Sequence, residues 1–240
     1  MTVLVVTGTG TGVGKTVVTA AVAALALARQ QRCTVLKPAQ TGVADGEPGD
    51  LTEISRLATG LADSELVELV RYPDPLSPAA AARRSGRPAL DPARCVQAVL
   101  DAQARSDLVL VEGAGGLLVR FDDDGFTLAE LARTLRAPVL VVTTAGLGTL
   151  NATALTLEAL AHRGLELSGL VVGSWPSQPG LAERSNVADL EMLAARPLLG
   201  ALEQGLGAAT PGQFAAAAAR GLGPALGGTF DAAAFRRDYV

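Results

Sequence analysis

The 240-residue chain carries a net charge of −4 and 49% hydrophobic residues, with arginines scattered and no basic run, which argues against a nucleic-acid surface. Cys33 and Cys95 stand far apart without C-x-x-C spacing, and with one histidine neither a disulfide framework nor a Cys/His metal cluster is expected. The length allows one sizeable core, and the chain is read as a single domain over 1–240.

The first element is expected at once: Val3-Leu4-Val5-Val6 reads as a strand, with no charged leader before it, so an intracellular, cytoplasmic protein is expected. Gly8-Thr9-Gly10-Thr11-Gly12-Val13-Gly14-Lys15-Thr16 follows, and then a long Ala/Val/Leu segment, Val17 to Arg29, reads as a buried helix too short to span a bilayer. Strand, glycine loop and helix are the context of a phosphate site. Glycines let backbone N–H groups turn inward, Lys15 reaches the β- and γ-phosphates, and the Thr16 hydroxyl can hold Mg²⁺. The spacing G-x5-G-K-T is one residue longer than the usual motif.

Thr34-Val35-Leu36-Lys37 is the next strand, ended by Pro38, leaving Lys37 near the same rim. Lys15 and Lys37 are the only lysines; every other basic residue is arginine. A compact ammonium on a flexible stem can follow a moving phosphoryl group where a planar fork does not fit. Taken alone, Lys37 reads first as a solvated charge, and the surrounding motif favours function. Gly42 to Gly49 is a polar, glycine-rich segment that reads as a loop over a site, and Asp50-Leu51-Thr52-Glu53 matches a helix capping box, favoured here over a metal ligand although one carboxylate can do both. A helix is expected over Leu51 to Ala58, and Tyr72 to Pro78 is too rich in proline for regular structure, so it reads as a loop over a site.

After a helix over Pro92 to Ala104, Leu108-Val109-Leu110-Val111 forms a strand that delivers Glu112, followed by Gly113-Ala114-Gly115-Gly116. A carboxylate at a strand end beside glycines resembles the acid that helps hold Mg²⁺ in phosphate-loop enzymes, with Glu in place of Asp. Asp122-Asp123-Asp124 reads as a solvated turn. Helices over Leu128 to Leu135, Thr149 to Arg163 and Leu181 to Leu193 alternate with strands Pro138 to Val142 and Gly169 to Val172. Leu147-Gly148-Thr149-Leu150-Asn151 opens one of these helices, and its free N–H groups suit a carboxylate or are an ordinary helix start. His162 is placed on the exposed end of that helix. Trp175 either stacks on a base or fills the core. Beyond Gly205 a helix is expected near Pro211 to Arg220, with no chemistry assigned. Short, continuous apolar strands alternating with helices predict a three-layer α/β fold of the P-loop NTPase type, with a central, mostly parallel sheet and ligands at the strand carboxyl ends.

Together, GTGTGVGKT, KPAQTG, Asp50 and VEGAGGLLV resemble the dethiobiotin synthetase family over nearly the whole chain. The resemblance implies a homodimeric cyclo-ligase of biotin biosynthesis that joins 7,8-diaminononanoate and CO₂ at the expense of ATP, or another nucleoside triphosphate, with Mg²⁺. It implies no nucleic-acid or membrane partner. Lys15, Lys37 and Thr11 would be catalytic, and Thr16, Asp50 and Glu112 would hold the metal. The nucleotide is expected at Gly12, Val13, Gly14, Lys15, Thr16 and Val17, at Asp50, at Glu112, Gly113, Ala114 and Gly115, at Gly173 and Ser174, and at Ala201, Leu202 and Glu203. Thr11, Lys37, Thr41 and Gly115 would contact the substrate. Its carboxylate would meet Leu147, Gly148, Thr149, Leu150 and Asn151 of the partner. Two departures stand out: Gly10 and Gly12 replace acids found in many members, and Gly173-Ser174-Trp175-Pro176 replaces an adenine-reading asparagine. The rival reading is a partner-regulated ATPase switch like ParA and MinD, against which stand the absence of an early lysine in Thr7-Gly8-Thr9-Gly10 and of a basic face. A synthetase of the amidotransferase type would need a glutaminase nucleophile motif that is absent.

Overall fold

The computed structural model describes residues 2–239. Seven strands form one sheet in the order β3-β2-β4-β1-β5-β6-β7, and every paired neighbour runs parallel. In chain order they are β1 (Thr2–Gly8), β2 (Cys33–Thr41), β3 (Leu66–Tyr72), β4 (Leu108–Gly116), β5 (Val139–Thr143), β6 (Leu167–Trp175) and β7 (Gly200–Glu203). The helices are α1 (Lys15–Ala28), α2 (Asp50–Leu57), α3 (Pro78–Ser85), α4 (Pro92–Arg105), α5 (Leu128–Leu135), α6 (Thr149–His162), α7 (Leu181–Ala194), α8 (Pro211–Gly221) and α9 (Ala232–Tyr239).

Alternate residues of the central strands supply two cores. Val3 and Val5 face one side with α4, α5 and α7, whereas Leu4 and Val6 face the other with α1, α2 and α8. Both faces of β1 and β5 are therefore covered, which is why these strands read as unbroken apolar runs. The expected three-layer architecture is present, and the sheet is wholly parallel across its paired strands.

Four elements differ from the sequence expectation. β3 was not expected: LVELVRY places Glu68 and Arg71 in an edge strand whose residues are mostly half-exposed, so the continuous apolar signal is missing. The four-residue β7, α3 and α9 were likewise not expected, being short and rich in alanine or arginine. Pro38 does not stop β2, which continues to Thr41. The pairing of β2 with β4 ends at Leu36 and Val111, and the register with β3 passes over Pro38, so its missing N–H costs no ladder bond there.

Candidate active site

The end of the β2–β4 pairing builds the site. Beyond the last paired rung, Leu36 with Val111, the two strands part, and the next residues are Lys37 and Glu112. They occupy one level of the sheet and meet at 2.8 Å, Nζ to Oε1, with both side chains buried. Glu112 is not at the end of its strand as expected. It is the last regularly paired residue before β4 bulges, since Val6 pairs with Glu112 but Gly8 pairs with Gly116. The bulge turns Gly113 to Gly115 out of the ladder and opens a cleft of about 660 Å³.

The phosphate loop forms the wall opposite. α1 starts at Lys15, two residues earlier than expected, so Lys15 and Thr16 belong to its first turn, where free N–H groups and the helix dipole favour an anion. Gly14 adopts φ +97°, and a Cβ there would lie 2.7 Å from the Gly173 carbonyl oxygen; a Cβ on Gly173 would lie 2.1 Å from the Val13 oxygen. The loop thus rests directly on the end of β6, and glycine is required at both contacts.

The polar groups on the cleft floor form one network. The Thr16 hydroxyl donates to Glu112 Oε1 at 3.0 Å. The Lys37 ammonium donates to Glu112 Oε1 and to the Gly113 carbonyl at 3.2 Å, and pairs with Asp50 Oδ2 at 2.5 Å. Its three N–H bonds therefore have three acceptors. Lys15 bends back over the loop and donates to the Gly10 carbonyl at 2.9 Å. Burial opposes charge on Lys37, but Glu112 and Asp50 together outweigh it and hold its pKa above the ordinary lysine value. Lys15 has its pKa lowered, first by burial and then by the neighbouring Lys37. Glu112 Oε2 is buried without a hydrogen-bond partner.

That orphaned oxygen is the fit test for a cation. Among the described residues no cluster of three His, Cys, Asp or Glu side chains could hold a metal ion. The floor instead offers two carboxylates, Asp50 and Glu112, and the Thr16 hydroxyl, the sparse donor set that suits Mg²⁺ completed by phosphate oxygens and water. Asp50 is not the helix cap favoured from the sequence. Gly49 takes that position, and Asp50 is the first helical residue with its carboxylate turned to Lys37.

Thr11, Gly12, Gly14, Val17, Thr41, Ala114 and Gly115 line the cleft with the floor residues, as expected from the motifs. Gln40, Pro75, Leu76, Ser77, Pro78 and Val119 line it too and had been given no role. The proline-rich loop does lie over the site; only its placement beside β2 could have singled out these residues. Val13 is buried in the core beneath the loop, and Gly113 is within reach of the Lys37 ammonium through its carbonyl. Gly173 and Ser174 do not line the cleft, nor do Ala201, Leu202 and Glu203; Ala201 and Leu202 are buried, and Glu203 pairs with Arg220. Leu147 to Asn151 open α6 away from the cleft. Leu147 is 91% exposed, and the Thr149 side chain is tied inward to Thr143 and the Thr144 carbonyl. Trp175 fills the core, packed edge-on against Phe235 at 4.9 Å, so it offers no face to a base. His162 is exposed as expected. Asp122 is not solvated: it is buried and accepts from the Phe126 N–H at 2.8 Å, closing the turn.

A second, shallower apolar groove of about 400 Å³ runs along α6 and Gly116 to Val119, and Val119 lines both hollows. Leu118 and Leu155 leave large apolar surface exposed along it.

Comparison with known proteins agrees with this geometry. A family model described as an AAA domain matches residues 2–207. ATP-dependent dethiobiotin synthetase BioD of Parafrankia sp. (strain EAN1pec) is 63% identical over 240 residues, covering all of both chains. The protein of the same name from Streptomyces coelicolor is 57% identical over 218 residues, 91% of this chain and 90% of its own. Among solved structures, the septum site-determining protein MinD of Pyrococcus horikoshii, complexed with Mg-ADP, superposes with a TM-score of 0.55 at 15% identity, covering 90% of this chain and 92% of its own. A ParA family ATPase from Chlorobium tepidum gives 0.55 at 16%, covering 90% and 88%. At such identities these two show the fold alone.

Proposed function

Because the chain belongs to the ATP-dependent dethiobiotin synthetase family, we propose that its cleft joins CO₂ to the two amines of 7,8-diaminononanoate, forming dethiobiotin with consumption of ATP. The observation that carries this reading is the cleft floor, where the Lys37 ammonium, two carboxylates and a hydroxyl meet beside one unpartnered carboxylate oxygen, with Lys15 on the facing loop.

One amine adds to CO₂ as a carbamate, releasing a proton. A carbamate oxygen attacks the γ-phosphorus and ADP leaves; the second amine then attacks the carbonyl carbon, and phosphate departs with that oxygen. Every covalent change occurs on substrate and nucleotide, so the protein's part is to orient and to neutralise charge. Lys15 reaches the phosphates from the loop, and Lys37, held by Glu112 and Asp50 on the cleft floor, faces the carbamate and the γ-phosphate. Thr16, Asp50 and Glu112 would hold Mg²⁺, which supplies further neutralisation of the phosphate oxygens when bound. Thr11, Thr41 and the Gly115 backbone flank the carbamate end.

The substrate's carboxylate is assigned to the α6 N-terminus of a second copy. Support comes from the apolar groove that continues the cleft at Val119, from the exposed leucines along it, and from the N–H groups of Leu150 and Asn151, which have no backbone acceptor among the described residues. Among the described residues no helix is long and apolar enough to cross a membrane.

The test combines purified protein, Mg²⁺, ATP, bicarbonate and the diamine, with dethiobiotin followed by mass spectrometry. Stoichiometric ADP and dethiobiotin are expected. Nucleotide hydrolysis that does not depend on the diamine would overturn the reading and favour a switch ATPase.

A further inference from the structure

We propose that Gln40 is a positioning residue that acts through Asp50, setting the carboxylate on the cleft floor by capping the backbone that carries it. The inference rests on the reading of Asp50 as a holder of Mg²⁺.

α2 begins without a side-chain cap of its own. Gly49, in the cap position, has no side chain to accept from the exposed amides of the first turn. The vacant role is filled from β2: Gln40 Oε1 accepts from the Asp50 N–H at 2.9 Å, while its Nε2 donates to the Thr41 carbonyl at 3.2 Å. Both ends of the amide are thus engaged, which fixes its orientation. Gln40 is only 4% exposed, so the bond is shielded from water and cannot be replaced cheaply by solvent.

Gly49 is glycine for the same reason. A Cβ there would lie 2.9 Å from Gln40 Oε1 and 3.0 Å from an Arg71 guanidinium nitrogen. Arg71 donates to the carbonyls of Ala44 and Glu47, and Arg87 forms a two-point pair with Asp45, so the 42–49 loop is held from β3 and from the segment after α3 while Gln40 holds its last turn. Lys37, three residues before Gln40 on β2, then meets Asp50 Oδ2 at 2.5 Å. One strand therefore supplies both the cation that Asp50 faces and the acceptor that places its backbone.

The test measures binding of a fluorescent ATP analogue as Mg²⁺ is titrated, in the wild type, Gln40→Met and Asp50→Asn. Gln40→Met keeps the side-chain length and removes the acceptor. The half-saturating Mg²⁺ concentration is expected to rise at least fivefold in both variants. This midpoint does not depend on the fraction of folded protein, so a purely structural role for Gln40 would lower the melting temperature and leave it in place. If only Asp50→Asn shifts the midpoint, the positioning role fails and the metal reading stands. If neither shifts it, the metal reading itself fails. A shift in Gln40→Met without one in Asp50→Asn would overturn action through Asp50. Should Gln40→Met fail to fold, Gln40→Ser is read on the same midpoint, and slow amide exchange at Asp50 in the wild type is required; fast exchange would overturn the proposal.

Discussion

Lys37 and Lys15 are both buried ammonium groups in one cleft, yet they are stabilised differently. Lys37 has an acceptor for each N–H, two of them carboxylates, an arrangement matched to a compact ammonium and not to the larger planar five-donor head of arginine. Lys37→Arg is therefore expected to lower turnover by about a hundredfold or more, the scale of losing one preorganised donor. Steady-state assay checks this, and near-wild-type turnover would reject the steric reading. Lys15 has only the Gly10 carbonyl, and burial and Lys37 lower its pKa. A folded-state pKa below the unfolded value means the unfolded chain binds more protons between the two, so stability rises with pH through that window, and the cost of charging is fully present below it. At neutral pH, Lys15→Met should raise the melting temperature of the ligand-free protein while abolishing nucleotide binding; calorimetry and a binding assay read both. Gly10 and Gly12 have open space where a Cβ would stand. At Gly10, with no positive φ, an acidic side chain would fit without strain.

At the scale of elements, the site depends on two departures from regular pairing. The β2–β4 split after Leu36 and Val111 exposes Lys37 and Glu112 to each other, and the β4 bulge opens the cleft above them. The phosphate loop is then fixed from beneath by β6, through Gly14 and Gly173. Gly173→Ala would drive a Cβ into the Val13 carbonyl and displace the loop, so nucleotide affinity is expected to fall at least tenfold. Stability should fall by about 1–3 kcal/mol, the usual cost of overpacking. Isothermal titration and denaturant unfolding measure the two effects separately. This contact explains the sequence at Gly173 without a base: the residue packs strand against loop, and Trp175 beyond it turns into the core beneath α9.

For the whole molecule, the cleft does not bring together all the residues expected at the substrate, because the α6 N-terminus lies outside it. If a second copy completes it, Leu118→Glu together with Leu155→Glu should break the association. The diamine KM is then expected to rise more than tenfold with nucleotide binding retained. Sedimentation velocity and kinetics check this, and a monomeric wild type with full activity would overturn the two-subunit site. The likeness to MinD and ParA structures reflects shared topology, whereas identity to dethiobiotin synthetases of 63% over the whole chain and 57% over 91% of it separates the two readings.

The sequence by itself determined the central strands and the phosphate loop with Lys15 and Thr16, and singled out Lys37 and Glu112 as candidates, because buried parallel strands demand apolar runs and phosphate loops demand glycine at local spacing. It also carried the family, through motifs whose order survives without any structure. Tertiary structure alone decided the rest. The edge strand β3 carries charge because only one edge is paired, and short α3 and α9 gain their stability from packing and not from periodicity. Asp50 looked like a cap until Gln40, ten residues away on a neighbouring element, was seen to cap it instead. Such assignments depend on which atoms meet across elements, and a linear pattern records spacing along the chain but not distance through the fold.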